Sequence, residues 1–331
     1  MGNNRLLRKI ALNHNFLWFA IFLSITIWII DGFFLAEQGN NVISSGLWFD
    51  SLIENLPSII SINISLIMYG LSLIMFLSLV NKGNILPFKA HLTGAIFCLF
   101  AAVIFFLHPF QVTTILLPLY IVSLNNLFST FKNKNSKKKI LKISIYIGIG
   151  SIIFPWFALL LPIFYIGTGF LGSFSIRSFL AGIIGFTLPF WILYGAGVIL
   201  ENRDIWSSVI DNFYTFQTIS LSEIAPFQWG SLALIGIPGL LGIVRFVFLG
   251  KEKQSSRGSM NALLFFDLVL TTSVFLFPAY INIIIGLKLI SCSIFNAYLW
   301  SSSESRFNHF LFWIEIIGFI CLILLYFFDT K

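Results

Sequence analysis

The chain has 331 residues, of which 58% are hydrophobic and only 10% are charged, and its formal net charge is +7. A soluble domain carries about 25% charged residues, so the composition excludes an ordinary soluble fold. A transmembrane barrel is excluded as well, because its strands of about 10 residues alternate apolar and polar positions. The sequence therefore predicts an all-α, polytopic membrane protein, in which each helical span pairs its own backbone polar groups.

Apolar runs close to the roughly 20 residues that cross a bilayer follow one another along the chain. They predict about eleven spans, at 15–34, 57–80, 91–107, 112–131, 140–154, 157–171, 179–200, 227–248, 260–277, 278–300 and 309–328. Residues 47–54 have apolar side chains on one face and two acids on another, which predicts a short helix lying in the membrane interface. We expect one integral membrane domain over 1–331, in which the outer loop 201–226 separates the first seven helices from the last four.

The basic residues indicate how the chain is oriented. With eleven spans, nearly every loop Lys and Arg falls on one side of the membrane, and only Arg203 and Lys331 fall on the other. Lys and Arg in short loops favour the cytoplasmic side, so the amino terminus is predicted inside and the carboxyl terminus outside. The positive charge is thus an orientation signal, and nucleic acid is not an expected partner.

Besides Asp31 and Lys142 near span ends, four charged residues lie within the predicted spans, where a charge is unfavourable by roughly 2.5–3.5 kcal/mol. Asp267 and Lys288 are nearly equidistant from Pro278, about 15 Å below the same outer turn, so we expect them to pair. Arg245 and Glu315 both lie near the cytoplasmic edge, where they either pair or reach lipid headgroups. These charges form either an ion or proton path or a structural bridge that fixes helix register.

Several polar residues gather on the predicted outer side of the membrane. They are Asp31, Asp50, Glu54, His108, Arg203 and Asp204. Carboxylates with a histidine supply either a general base or ligands for a divalent cation over a lipid phosphate. The alternative is a solvated loop surface. No cofactor motif is evident, and the three cysteines fall in apolar runs without metal-ligand spacing.

Short motifs in the second half of the chain resemble a family of bacterial multi-pass inner-membrane proteins that has no established activity. The motifs are Gly148-Ile149-Gly150-Ser151-Ile152-Ile153-Phe154-Pro155, Phe174-Ser175-Ile176-Arg177-Ser178-Phe179, Gly185-Phe186-Thr187-Leu188-Pro189, Phe277-Pro278-Ala279 and Trp313-Ile314-Glu315-Ile316. The resemblance covers most of the chain and implies a location in the bacterial cytoplasmic membrane.

The order of the first seven predicted helices also resembles the glycosyltransferase-C enzymes, whose substrates are sugars linked to polyprenyl phosphate. In those enzymes a carboxylate near the exit of the first helix acts as base or metal ligand. The resemblance assigns that role to Asp31, with Asp50 next, and implies a polyprenyl-phosphate-linked substrate. The chain departs from the family in its short first loop, in lacking an adjacent Asp-Glu pair and in lacking an extramembrane domain.

Three functions remain open, and the sequence does not decide whether the protein is an enzyme. A protein of envelope biogenesis with a glycosyltransferase-C-like core, active or degenerate, predicts that Asp31, Asp50 and His108 converge on an outward cavity open to lipid. A small-solute or ion transporter predicts a discontinuous helix with Asp267 and Lys288 lining water. A non-enzymatic scaffold or assembly partner predicts tightly packed spans and an exposed face of small residues.

Overall fold

The computed structural model describes residues 14–38, 56–83, 85–86, 90–133, 135–200, 209, 213, 224–249, 254–301 and 306–329. Over these ranges the chain forms eleven α-helices, three short 3-10 turns and no strand. The helices are α1 His14–Gln38, α2 Ser58–Lys82, α3 His91–Val103, α4 Val112–Phe128, α5 Lys137–Ile153, α6 Leu160–Phe170, α7 Ile176–Ile199, α8 Pro226–Leu249, α9 Gln254–Leu276, α10 Ile281–Ser301 and α11 Arg306–Asp329.

The helices confirm the all-α prediction and are those of a multi-pass membrane protein. Across the described residues, six are long and apolar enough to cross a bilayer, namely α1, α2, α7, α8, α9 and α10. The apolar stretches in α3, α4, α6 and α11 are shorter. The count of eleven spans and the cytoplasmic amino terminus therefore stay predictions. The predicted interfacial helix at 47–54 lies outside the described residues.

Helix α10 is the centre of the bundle. Every residue from Ile283 to Trp300 is buried, and α8, α3, α9 and α4 pack around the helix. The backbones of α8 and α10 approach closely at glycines of α8. A Cβ atom on Gly242 would collide with the carbonyl oxygen of Phe295, and one on Gly239 would lie 3.2 Å from Cys292 Sγ. Small residues at such crossings let membrane helices gain van der Waals contact.

Three helical segments end in short turns, and each of these turns has a proline at its start or shortly after it. Pro109 follows the 3-10 turn Phe105–Leu107, and Pro155 and Pro278 begin the 3-10 turns that precede α6 and α10. Proline lacks the N–H that a continuing helix requires, so these positions suit reversals of the chain. The last two turns pack against each other, with the Phe154 and Tyr280 rings 5.0 Å apart. Between them lies an apolar cavity of about 380 Å³.

Helix α7 lies at the rim of the bundle. It packs mainly on α5, and its apolar side chains are largely exposed, as those of a lipid-facing helix are. The two helices also meet at glycines: a Cβ atom on Gly185 would lie 2.6 Å from the Leu141 carbonyl oxygen, and one on Gly148 would lie 2.7 Å from that of Phe186. The α5–α7 pair therefore depends on backbone contact.

The α8–α10 crossing is tested by one pair of alanine substitutions on the same helix. Gly242→Ala forces a methyl group against the Phe295 carbonyl, so we expect the free energy of unfolding to fall by about 1–3 kcal/mol. At Gly236 an added Cβ atom has nothing within 4 Å, so Gly236→Ala is expected to be neutral or stabilising by up to about 1 kcal/mol. Unfolding of the purified variants in detergent measures both. Equal effects would contradict the close crossing.

Candidate functional site

Asp31, near the carboxyl end of α1, contacts His108 in the interior of the protein. Asp31 Oδ2 lies 2.7 Å from His108 Nδ1, and neither side chain has exposed surface. The 3-10 turn Phe105–Leu107 and the following Pro109 fix the backbone of His108. Because α1 packs along α3, two predicted site residues that are 77 positions apart in the chain meet.

The second imidazole nitrogen of His108 also faces an acceptor. Nε2 lies 3.3 Å from the carbonyl oxygen of Ala101 on α3. The imidazole is therefore held between two oxygen atoms, one from the Asp31 carboxyl group and one from the Ala101 carbonyl.

Aromatic rings surround the imidazole of His108. The Trp28 ring centroid lies 4.1 Å from that of His108, with 30° between the planes, and Phe105 approaches at 5.2 Å edge-on. Phe105 in turn stacks on Tyr326 of α11 at 4.0 Å. Trp28 thus packs against the imidazole and covers the pair.

One carboxylate oxygen of Asp31 is left without a hydrogen bond. Asp31 Oδ1 is buried and has no hydrogen-bond partner among the described residues. The phenol of Tyr326 interacts with this carboxylate both electrostatically and through a side-chain hydrogen bond. An unsatisfied buried acceptor is unfavourable by about 1–3 kcal/mol. Oδ1 is therefore the atom of the pair that can still accept a hydrogen bond or a proton.

An open apolar groove between α1 and α2 passes the Asp31–His108 pair. It contains two cavities of about 180 Å³ and 140 Å³, and Trp28 and Leu66 line both. The second cavity also reaches α3, where Phe97 and Ala101 line it. The first is lined also by Ile29, Gly32, Phe33, Ile59, Ile62 and Asn63. Asp31 and His108 line neither of these cavities, so the Trp28 ring stands between the groove and the imidazole.

The outward cavity predicted for Asp31, Asp50 and His108 therefore needs correction. Asp31 and His108 converge as expected, but they are buried within the α1–α3 contact instead of lining a cavity open to lipid. The packing of α1 on α3 buries both side chains, and the sequence pattern does not predict this packing. Asp50 lies outside the described residues, as do Glu54, Arg203 and Asp204.

A second polar centre joins α9 to α10, and the predicted contact between Asp267 and Lys288 is present. Lys288 Nζ lies 2.8 Å from Asp267 Oδ1, with both side chains almost completely buried. Lys288 Nζ also donates to Thr271 Oγ1 at 2.6 Å, and Ser291 Oγ donates to the same Asp267 oxygen at 2.6 Å. Such additional hydrogen bonds are what a buried ion pair needs to offset its desolvation.

The third polar centre joins α10 to α11. Asn296 Nδ2 donates to Glu315 Oε1 at 2.5 Å, and both side chains are buried. Among the described residues Glu315 forms no ion pair with Arg245, which is half-buried on α8. The pairing alternative predicted for these two charges is therefore not the one observed. The sequence predicted both residues near the cytoplasmic edge, but Glu315 contacts α10.

In comparisons with known proteins, no family model, no curated protein and no solved structure matches this chain. Within the described ranges, no three His, Cys, Asp or Glu side chains cluster in a way that could hold a metal ion. The chemistry available to the protein is therefore inferred from its three polar centres. Only the Asp31–His108 pair combines a carboxylate, an imidazole and an adjoining open groove.

The neutral residues that contact these charged side chains were not predicted from the sequence. Trp28 lies three positions before Asp31, a spacing that places both on one helix face. On α10, Lys288, Cys292 and Asn296 recur at intervals of four and form a polar stripe along one face. This stripe could have been recognised in the sequence, and it indicates that α10 is surrounded by protein. No comparable pattern marks Tyr326.

The Asp267–Lys288 pair is tested by a double-mutant cycle. Lys288→Met or Asp267→Leu alone leaves an uncompensated buried charge, so we expect each to lower the free energy of unfolding by about 3–5 kcal/mol. The double variant should lose less than the sum, because no lone charge remains. Unfolding in detergent measures the cycle. Thr272→Ala is the control, since its exposed hydroxyl bonds only the Leu268 carbonyl of its own helix. Additive losses would show that the pair is not coupled.

Proposed function

We propose that this multi-pass membrane protein acts in bacterial envelope biogenesis, on a sugar linked to polyprenyl phosphate, through Asp31 and His108. The observation that carries the proposal is the buried 2.7 Å contact between the two side chains beside an open apolar groove. The six apolar helices support a membrane location. The bacterial inner membrane and a glycosyltransferase-C-like arrangement of the first seven helices are parts of the proposal.

The pair suits general base chemistry. His108 donates to Oδ2 of Asp31 and fixes the carboxylate, while Oδ1 remains able to accept a proton. In the proposed reaction an acceptor hydroxyl loses its proton to Asp31 as its oxygen attacks the sugar. The bond between the sugar and the phosphate breaks, and polyprenyl phosphate leaves with the electron pair. A polyprenyl chain is apolar, so the α1–α2 groove is a compatible path from the lipid.

The covering Trp28 ring gives this proposal a conformational requirement. Asp31 and His108 are fully buried, and Trp28 separates the imidazole from both cavities of the groove. A substrate in the groove reaches Oδ1 only after this ring, or the neighbouring Tyr326, moves aside. Such a step would also exclude water between turnovers.

A second candidate function, transport of a small solute or ion, is favoured by the polar side chains on α10. Lys288, Ser291 and Asn296 are buried at membrane depth, where charged and polar groups commonly mark ion or proton pathways. However, the Asp267–Lys288 pair is enclosed by its own hydrogen-bond partners. Glycosyl transfer therefore remains the primary proposal, and flux across reconstituted vesicles distinguishes the two.

The catalytic proposal is tested with variants of the Asp31–His108 pair. Asp31→Asn removes the base and His108→Gln removes its partner, so we expect sugar transfer to fall by about 10²–10⁴-fold in each. The measurement is transfer of a labelled sugar from polyprenyl phosphate by the full chain in liposomes, together with the envelope glycans of cells carrying each variant. Thr26→Ala is the control, because Thr26 lies on the same helix and bonds the Phe22 carbonyl. Unchanged glycans in well-folded Asp31→Asn cells would refute the proposal.

The proposed orientation is tested with reporter tags. The basic segment around Lys137 is expected in the cytoplasm and the carboxyl terminus outside, because Lys and Arg in short loops are retained on the inner side. A tag inserted near Lys137 should be protected from an impermeant label in intact cells, while one after Lys331 should react. Reaction of both tags, or of neither, would contradict the eleven-span arrangement and the outward position of Asp31.

A further inference from the structure

Glu315 is the one described buried carboxyl group whose observed partner is neutral. Asp31 has the imidazole of His108 and Asp267 has the ammonium of Lys288. Glu315, on α11, is 3% exposed and accepts a single hydrogen bond, from the Asn296 amide of α10. A carboxylate in this position would be a lone buried charge, which proteins avoid because its desolvation is not repaid.

Two atoms at this contact lack hydrogen-bond partners within the described residues, and this indicates that Glu315 carries a proton. Glu315 Oε2 and Asn296 Oδ1 are both buried without a hydrogen-bond partner among the described residues. Both atoms are acceptors when Glu315 is ionised, so the ionised form leaves two unsatisfied groups. A protonated Glu315 gains an O–H donor and is then complementary to a carboxamide, whose N–H₂ and C=O can match the acid's C=O and O–H.

The charged and titratable groups on the neighbouring helices do not supply an alternative partner. Helix α11 packs against α8, α10 and α3. These carry Arg245 on α8, Lys288, Cys292 and Tyr298 on α10, and His91 and Cys98 on α3. Lys288 is committed to Asp267, and none of the six is joined to Glu315 by an ion pair or hydrogen bond in the described part of the chain.

We propose that Glu315 is a proton-binding site, held as a neutral acid by Asn296 at neutral pH. The site is independent of the Asp31–His108 chemistry and goes beyond it. It lies two helical turns along α10 from Lys288, about 12 Å at 1.5 Å per residue. Buried acids at membrane depth are the groups through which membrane proteins bind and pass protons. The ligand class is therefore the proton itself.

The experiment is infrared spectroscopy of the full chain in liposomes at pH 7. A protonated carboxylic acid has a carbonyl stretching band separate from that of a carboxylate. We expect this band in the wild-type protein and its loss in Glu315→Gln, whose amide keeps the shape and the contact with Asn296. Asp31→Asn, which removes a different buried carboxyl group, is the matched control and should keep the band. A wild-type protein without the band, or a band that survives Glu315→Gln, overturns the proposal.

Two further measurements address the partner and the exchange of the proton. In Asn296→Leu the acid loses its amide partner, so the band should remain and shift to higher frequency. An unshifted band would show that Asn296 does not hold the acid. Transfer to D₂O should lower the band frequency as the proton is replaced. A band that does not respond would mean that the group does not exchange its proton with water, and the site would not be a binding site.

Discussion

Polar groups inside a lipid-surrounded protein must find partners in the protein, because the hydrocarbon offers none. In the described part of the chain, three such partnerships involve an acidic side chain and join two helices, or a helix and a turn. Asp31 and His108 hold α1 to the turn after α3, Asp267 and Lys288 hold α9 to α10, and Asn296 and Glu315 hold α10 to α11. Helix α10 contributes to two of the three, which is consistent with its burial on all sides.

The three centres differ in which of their atoms lack a hydrogen bond. This difference distinguishes a centre that is purely structural from one that can take part in chemistry. At Asp267 one carboxylate oxygen takes hydrogen bonds from Lys288 and Ser291, and Lys288 is further bound by Thr271. A centre satisfied in this way fixes helix register. Asp31 and Glu315 each keep a buried oxygen without a hydrogen bond. Capacity for further chemistry is therefore found at those two acids.

The contacts in these three centres could be predicted from the sequence to different extents, and the reasons are geometric. Asp267 and Lys288 flank one turn at nearly equal distances, and in an antiparallel hairpin equal distance means equal depth, so counting residues was sufficient. Asp31 and His108 could be named as outer polar residues, but their contact depends on how α1 packs on α3. Arg245 and Glu315 were also predicted at similar depth, yet depth does not specify the direction in which a side chain leaves its helix. Asn296, and not Arg245, meets Glu315.

The sequence by itself determined the membrane class and the position of nearly every helix, because lipid requires long apolar runs with internally paired backbones. Only the tertiary structure decided which helices face lipid and which face protein. The α7 span and the α10 span have almost equal mean hydropathy, 1.7 and 1.6, yet 17% of the residues are buried in the first and 83% in the second. Lipid tails are as apolar as a protein core, so hydropathy cannot distinguish the two surroundings. The hydrogen-bond and ion-pair partners of polar side chains distinguish a helix that faces protein from one that faces lipid.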